Sequence, residues 1–425
     1  MSAADRPALT RSPASGQVSS RTPRPTAIRH ERRSSGWLGV SAVMFTVAWG
    51  GNSFTPLLGL YRNTLGLGEL EVDALLSAYV IGIVPSLFLA TRLMGRHGVK
   101  RVLAPMPALS LIGSLLLLSG TWILPLLFLG RVVIGFALGI GMVAGGVWLK
   151  ELSSPPRDPA ARPGLGASRA AMSLTAGFGL GAGVVGTAAQ WSPLPTVLPY
   201  ILHLLLAVVA QVMVIRSPDV PAPAPEYAAR PARTPRRAYV RIATVAPWIF
   251  GSLGLAYAIL PQLIMDTVGS LITIYSAVLC LTSLGTGFAT QRLLARLKDP
   301  AAAPSAAVGF CIFVVSTCAA VAFMDSLSPW LVLLLAALLG CGYGFMLAGC
   351  LQEAERTAPA GRLGHVISVV YALAYLGFAL PTLVSWLHTT TGASHGTILS
   401  GTVVLAVVAM AAGRLATRKE TRGET

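Results

Sequence analysis

The chain has 425 residues, 54% hydrophobic and 11% charged, with a formal net charge of +16. A soluble domain carries about 25% charged residues, so a soluble protein of this length is excluded; disorder is excluded too, because so much apolar surface cannot stay in water. A net charge this basic would ordinarily point to nucleic acid, but in a membrane chain it can record topology, and its placement decides between the two.

Residues 1–36 are rich in Ser, Pro, Thr and Arg and have no apolar h-region, so they read as a disordered cytoplasmic tail in contact with anionic lipid. An organelle transit peptide is the alternative for such an Arg-rich, acid-poor stretch. A helical span needs about 20 mostly apolar residues. Six such runs follow, near 37–60, 71–93, 102–120, 123–149, 167–188 and 195–215. The polar Pro/Arg stretch 216–243 reads as a cytoplasmic linker. Six more runs lie near 244–265, 268–291, 304–324, 328–350, 364–387 and 396–415, and a short cytoplasmic tail covers 416–425. The expected fold is thus an all-α membrane protein with twelve transmembrane helices, divided into halves at 37–215 and 244–415. Barrel strands are excluded by length, since they would be alternating runs of about ten residues.

Thirty of the 32 Lys and Arg residues fall in the tails and in every second loop, which the positive-inside rule makes cytoplasmic. The opposite face has Arg62 against Glu69, Glu71, Asp73, Asp266 and Asp325. Both termini are therefore expected in the cytoplasm, in a multi-pass protein of the cytoplasmic membrane. With the charge sorted by side, nucleic acid is not an expected partner; membrane lipids are. The halves also share landmarks: Trp49 and Trp248 are 199 residues apart, Arg96 and Arg296 200, and Glu151 and Glu353 202. These offsets point to duplicated six-helix halves, a known transporter architecture.

The first span holds AWGGNSFTPLL, in which Asn52, Ser53 and Thr55 stand beside Gly50, Gly51 and Pro56. Polar groups next to helix breakers suit a locally opened helix that lines a cavity, and equally suit plain inter-helix hydrogen bonding. Asp73, at the outer start of the second span, is one of the few carboxylates near the apolar region. Arg131 lies about a third of the way into the fourth span. A charge there costs on the order of 3 kcal/mol by insertion scales. It either faces a transport path or ties down the carbonyls of bent helices. His203 reads as a packing histidine. The tenth span places Tyr343 among glycines in GCGYGFMLAGCLQE, where close helix packing is the competing reading. The five cysteines form no CxxC and are odd in number, so neither a disulfide framework nor a zinc site is expected. There is no phosphate-binding G-x-x-x-x-G-K-[ST] loop, no G-x-S-x-G elbow and no H-E-x-x-H helix, and no cofactor or metal is expected.

The chain resembles the major facilitator superfamily over almost all of residues 37–415. TRLMGRHGVKRVL at 91–103 is similar to the family's G-x-L-a-D-R-x-G-r-k-x-x-l loop, matching at Leu93, Arg96, Gly98, Lys100 and Leu103. Thr91 replaces its first Gly, Gly95 its Asp and Val99 one basic residue. The missing Asp puts one charged gate lock in doubt. Arg131 with Gly135 and Gly139 resembles the fourth-helix R-x-x-x-G pattern, which implies proton coupling. GFGLGAGVVG resembles the antiporter pattern of the fifth helix through Gly177, Gly181 and Gly186, with Ala182 in place of its Pro and Val185 in place of a Gly. The resemblance implies alternating access between two six-helix halves, with spans 1, 4, 7 and 10 lining the cavity. That makes Asn52, Arg131, Gln262 and Tyr343 the expected wall, and Tyr257 and Tyr371 secondary members. The implied function is a monomeric, non-enzymatic secondary active transporter exporting a small organic molecule in exchange for protons. Proton-symport uptake and facilitated diffusion stay open. A membrane-embedded transferase and a transport-inactive sensor are the competing classes.

Overall fold

In hydrocarbon every backbone N–H and C=O must be satisfied within its own segment, so the apolar runs can only be helices. The computed structural model describes residues 36–57, 65–66, 69–120, 122–219, 234–296, 305–359 and 362–422. Regular structure among the described residues is entirely helical. The expected tail up to residue 35, Arg62 and residues 220–233 of the 216–243 linker lie outside the described residues.

Among the described residues, twelve long helical segments follow in order. They are α1 Gly36–Asn52, α2 Glu69–His97, α3 Val99–Ser119, α4 Leu124–Leu152, α5 Leu165–Trp191, α6 Leu198–Arg216, α7 Arg236–Leu263, α8 Ile272–Ala295, α9 Ser305–Ala322, α10 Pro329–Thr357, α11 Leu363–Thr391 and α12 His395–Arg422. Ten contain stretches long and apolar enough to cross a membrane. The other two expected spans fall on α1, with 17 residues, and α8, with 24. α4 and α10 have 29 residues each, about 43 Å of helix, and so outrun a hydrocarbon core of about 30 Å. Helix also begins at Arg236, inside the stretch read as linker, and continues to Arg422, beyond the expected last span. Charged residues are good helix formers, so these helices continue past the apolar window that hydropathy detects.

Breaks fall at prolines and glycines. α1 stops at Asn52 and passes through a turn into a 3-10 turn at Thr55–Leu57, around Pro56. α3 is interrupted before Met106 and α11 between Leu376 and Ala379. α7 contains Pro247 and a π-helical turn, Leu255–Ile259.

The helix pairings recur six helices apart. α1 packs on α4, α5 and α6, and α7 on α10, α11 and α12; α4 takes α2 and α3, and α10 takes α8 and α9. Across the halves α5 meets α8 and α2 meets α11. The outer helices expose apolar rows such as Leu205, Val208, Val209 and Val212 on α6 and Val404, Leu405, Val407 and Val408 on α12. Such rows suit lipid rather than water.

Candidate substrate and coupling site

Arg131 on α4 is 1% exposed and lies against the broken end of α1. Its Nε donates to the carbonyl oxygen of Leu75 on α2 at 3.3 Å, and a terminal nitrogen donates to that of Gly51 on α1 at 3.2 Å. The guanidinium lies over the rings of Tyr79, 4.2 Å from its centroid, and Phe54, at 4.7 Å. Carbonyl oxygens and ring faces thus meet the charge, and no carboxylate is among its described partners. Desolvated cation–π contacts of this kind contribute about 2 kcal/mol. The side chain of Asp73 lies outside the described residues.

Asn52, the last residue of α1, joins three helices. Its Nδ2 donates to the Phe178 carbonyl on α5 at 2.9 Å and approaches Cys280 Sγ on α8 at 3.6 Å. Tyr343 on α10 is fully buried, and its hydroxyl shares a 2.9 Å hydrogen bond with Thr175 on α5. Its ring stacks on Phe250 of α7, with centroids 6.2 Å apart. Phe250 is the hub of an aromatic cluster drawn from both halves. It meets Tyr375 at 4.8 Å and Phe378 at 4.9 Å, both on α11, and Phe178 edge-on at 6.4 Å. Tyr375 continues to Tyr79 at 6.4 Å, which leads back to Arg131.

The structure therefore brings Asn52, Arg131 and Tyr343 to one central region. Tyr371 is fully buried there, and its hydroxyl has no hydrogen-bond partner; the same holds for both polar atoms of the Gln291 side chain on α8. Tyr257 is half-buried on the π-turn. Gln262 is exposed beyond that turn, and no described hydrogen bond joins it to the cluster. A π-turn inserts extra residue spacing, so the face that 3.6-residue periodicity assigns to Gln262 is rotated away. Phe250, Tyr79, Tyr375, Phe178 and Gln291 were not picked out from the sequence. Apolar aromatic residues in spans carry no positional signal by themselves, whereas the buried glutamine could have been found as the lone amide in its span.

The other motif residues have clear local roles. Gly98 adopts φ 80° between α2 and α3, a conformation open to glycine. Lys100 Nζ donates to the carbonyls of Ile215 and Ser217, at 3.2 and 2.7 Å, and so caps the C-terminal end of α6 within its own half. Arg96 is exposed, and Gly95 faces open space. Gly177 and Gly181 lie on the face of α5 against α1; a Cβ at Gly181 would come 2.8 Å from the Trp49 carbonyl oxygen, and one at Gly177 the same distance from the Ala48 Cβ. Gly186 faces Ala277 of α8. His203 on α6 is satisfied by the Thr46 carbonyl at 3.0 Å and by Ser114 at 2.5 Å. Among the described residues no group of three His, Cys, Asp or Glu could hold a metal ion. The centre can stack on flat apolar groups and hydrogen-bond through amide and hydroxyl. It has no nucleophile–base pair.

The family model described as Major Facilitator Superfamily matches residues 40–382. Among solved structures, FucP in its outward conformation superposes with a TM-score of 0.67 at 12% identity, covering 90% of this chain and 99% of that one. The proton:xylose symporter XylE bound to 6-bromo-6-deoxy-D-glucose gives 0.68 at 13%, covering 88% and 93%. A curated relative, the facilitated glucose transporter member 10 of solute carrier family 2 from Danio rerio, is 29% identical over 130 residues. That match spans 28% of this chain and only 25% of the relative.

Proposed function

We propose, from the premise that the chain belongs to the Major Facilitator Superfamily and is a membrane transporter rather than an enzyme, that it moves a small organic molecule by alternating access. The transport is proton-coupled, in the direction of efflux across the cytoplasmic membrane, with both termini inside and the chain acting as a monomer. The observation that carries the reading is the aromatic cluster around Phe250, built from α5 of one half and α7, α10 and α11 of the other. A site made from both halves changes accessibility whenever the halves rock. Its stacking faces and scarcity of charge favour an amphipathic organic substrate. The fourth-helix pattern around Arg131 supports proton coupling, and the degenerate glycine pattern of α5 supports export.

Uptake of a polyhydroxylated substrate is the second reading. The unpartnered Gln291 amide and Tyr371 hydroxyl favour it, because sugar hydroxyls would satisfy both. A proton-coupled sugar symporter among the structural relatives, and a facilitated glucose transporter in sequence, agree with it. Purified protein in liposomes of known orientation, given an imposed pH gradient and panels of amphipathic amines and of sugars, separates the two. Amine flux opposite to the proton gradient supports export. Sugar flux along it, with none for the amines, overturns export.

A further inference from the structure

Two histidines far from the central cluster in sequence meet where α11 turns into α12. The ring centroids of His388 and His395 lie 4.1 Å apart, with the planes tilted by 32°. The turn between them is held at both ends. Gly392 ends α11 with φ 70°, a conformation open to glycine, and its N–H donates to the His388 carbonyl at 3.0 Å. Ser394 Oγ accepts from the Thr397 N–H at 3.2 Å and so caps α12. His388 is exposed, and its Nδ1 lies 2.8 Å from the Ala393 carbonyl oxygen. A carbonyl only accepts, so Nδ1 carries the ring proton and Nε2 keeps its lone pair. Both rings line a cavity of about 610 Å³, together with Ser394, Thr397 and Asp325. Asp325 comes from the connection between α9 and α10, and it is the other titratable group among the described residues of that wall.

We propose that His388 and His395 form a site for a divalent transition-metal ion, such as Zn²⁺, Co²⁺ or Ni²⁺, which clips α11 to α12. Imidazole nitrogen suits these ions, whereas Mg²⁺ and Ca²⁺ take oxygen ligands. A metal-binding histidine characteristically donates its other ring N–H to a carbonyl or carboxylate, which fixes its tautomer and direction. His388 already does so through Ala393, and the half-buried His395 needs only a rotation of its ring to turn a lone pair toward the same ion. Among the described residues no third His, Cys, Asp or Glu completes a metal-binding group with them, so water fills the remaining positions. Asp325, on the same cavity, accepts hydrogen bonds from those waters and offsets the charge of the ion.

The site stands or falls independently of cargo and of transport direction. Calorimetric titration and thermal melting of the full chain, purified without a histidine tag, test it with ZnCl₂, CoCl₂ and NiCl₂. Saturable micromolar binding of a single ion is expected, with a melting temperature that rises with ion concentration. Excess MgCl₂ is expected not to compete. Binding is expected to weaken below about pH 6, where the imidazoles take up the protons that the metal must displace. His388→Ala and His395→Ala are each expected to lower the affinity about tenfold or more, and Asp325→Asn to lower it less. His388→Gln and His395→Gln repeat the measurement if an alanine lowers the metal-free melting temperature. No saturable binding to the wild type below about 1 mM ion overturns the site, and so does binding that survives both histidine substitutions.

Discussion

The guanidinium of Arg131 on α4 donates to the carbonyl oxygen of Gly51 on α1, 3.2 Å away, where α1 is about to lose its helical hydrogen bonding. With the second bond to Leu75, one buried cation ties three helices at the point where the chain breaks.

Arg131→Ala is expected to reduce transport at least tenfold and to lower stability by about 1–3 kcal/mol, the cost of leaving buried partners unpaired. Arg131→Lys keeps the charge but cannot hold two carbonyls and two ring faces at once, so it should recover stability only in part. Flux and thermal melting of the purified variants check both. Full transport by Arg131→Ala would leave this residue a structural tie alone.

For Asn52→Ala the bond to the Phe178 carbonyl is lost, and inter-helix hydrogen bonds in membranes average about 0.6 kcal/mol. Melting should therefore shift by only a few degrees. If Asn52 also meets the substrate, KM rises while the fold survives; an unchanged KM makes it a bridge between α1, α5 and α8.

Tyr371→Phe deletes a buried hydroxyl that has no partner, so the variant should be as stable as the wild type or more so. Substrate flux should nevertheless fall several-fold, because the hydroxyl is free to bind cargo. Gln291→Leu is expected to behave in the same way. Loss of stability in either variant would show that the group has a partner in the folded protein.

Gln262→Ala should leave KM within about twofold, since the side chain is exposed beyond the π-turn and away from the aromatic hub. A concentration series of initial rates suffices to test this.

Gly181→Val would press its side chain into the Trp49 backbone and force α1 and α5 apart. Overpacking of this kind costs about 1–3 kcal/mol or more. The protein is expected to melt earlier and transport poorly, whereas Gly95→Ala, in open space, should do neither.

The helical spans and their order were legible in the sequence, because hydrocarbon admits only long apolar helices. Arg131 was legible for the same reason, as a charge in an apolar run. So was the break after Asn52, since Gly and Pro puncture helices locally. The ends of α7 and α12 were not, because hydropathy measures the bilayer and not the helix.

Only the tertiary structure decided which residues meet. It showed that Arg131 faces carbonyls and rings and that Phe250 joins the halves. It also left Gln262 exposed beyond the π-turn. Each of these depends on helix rotation and on approaches between segments more than a hundred residues apart. A π-turn or a pair of facing glycines changes both without leaving a trace in hydropathy.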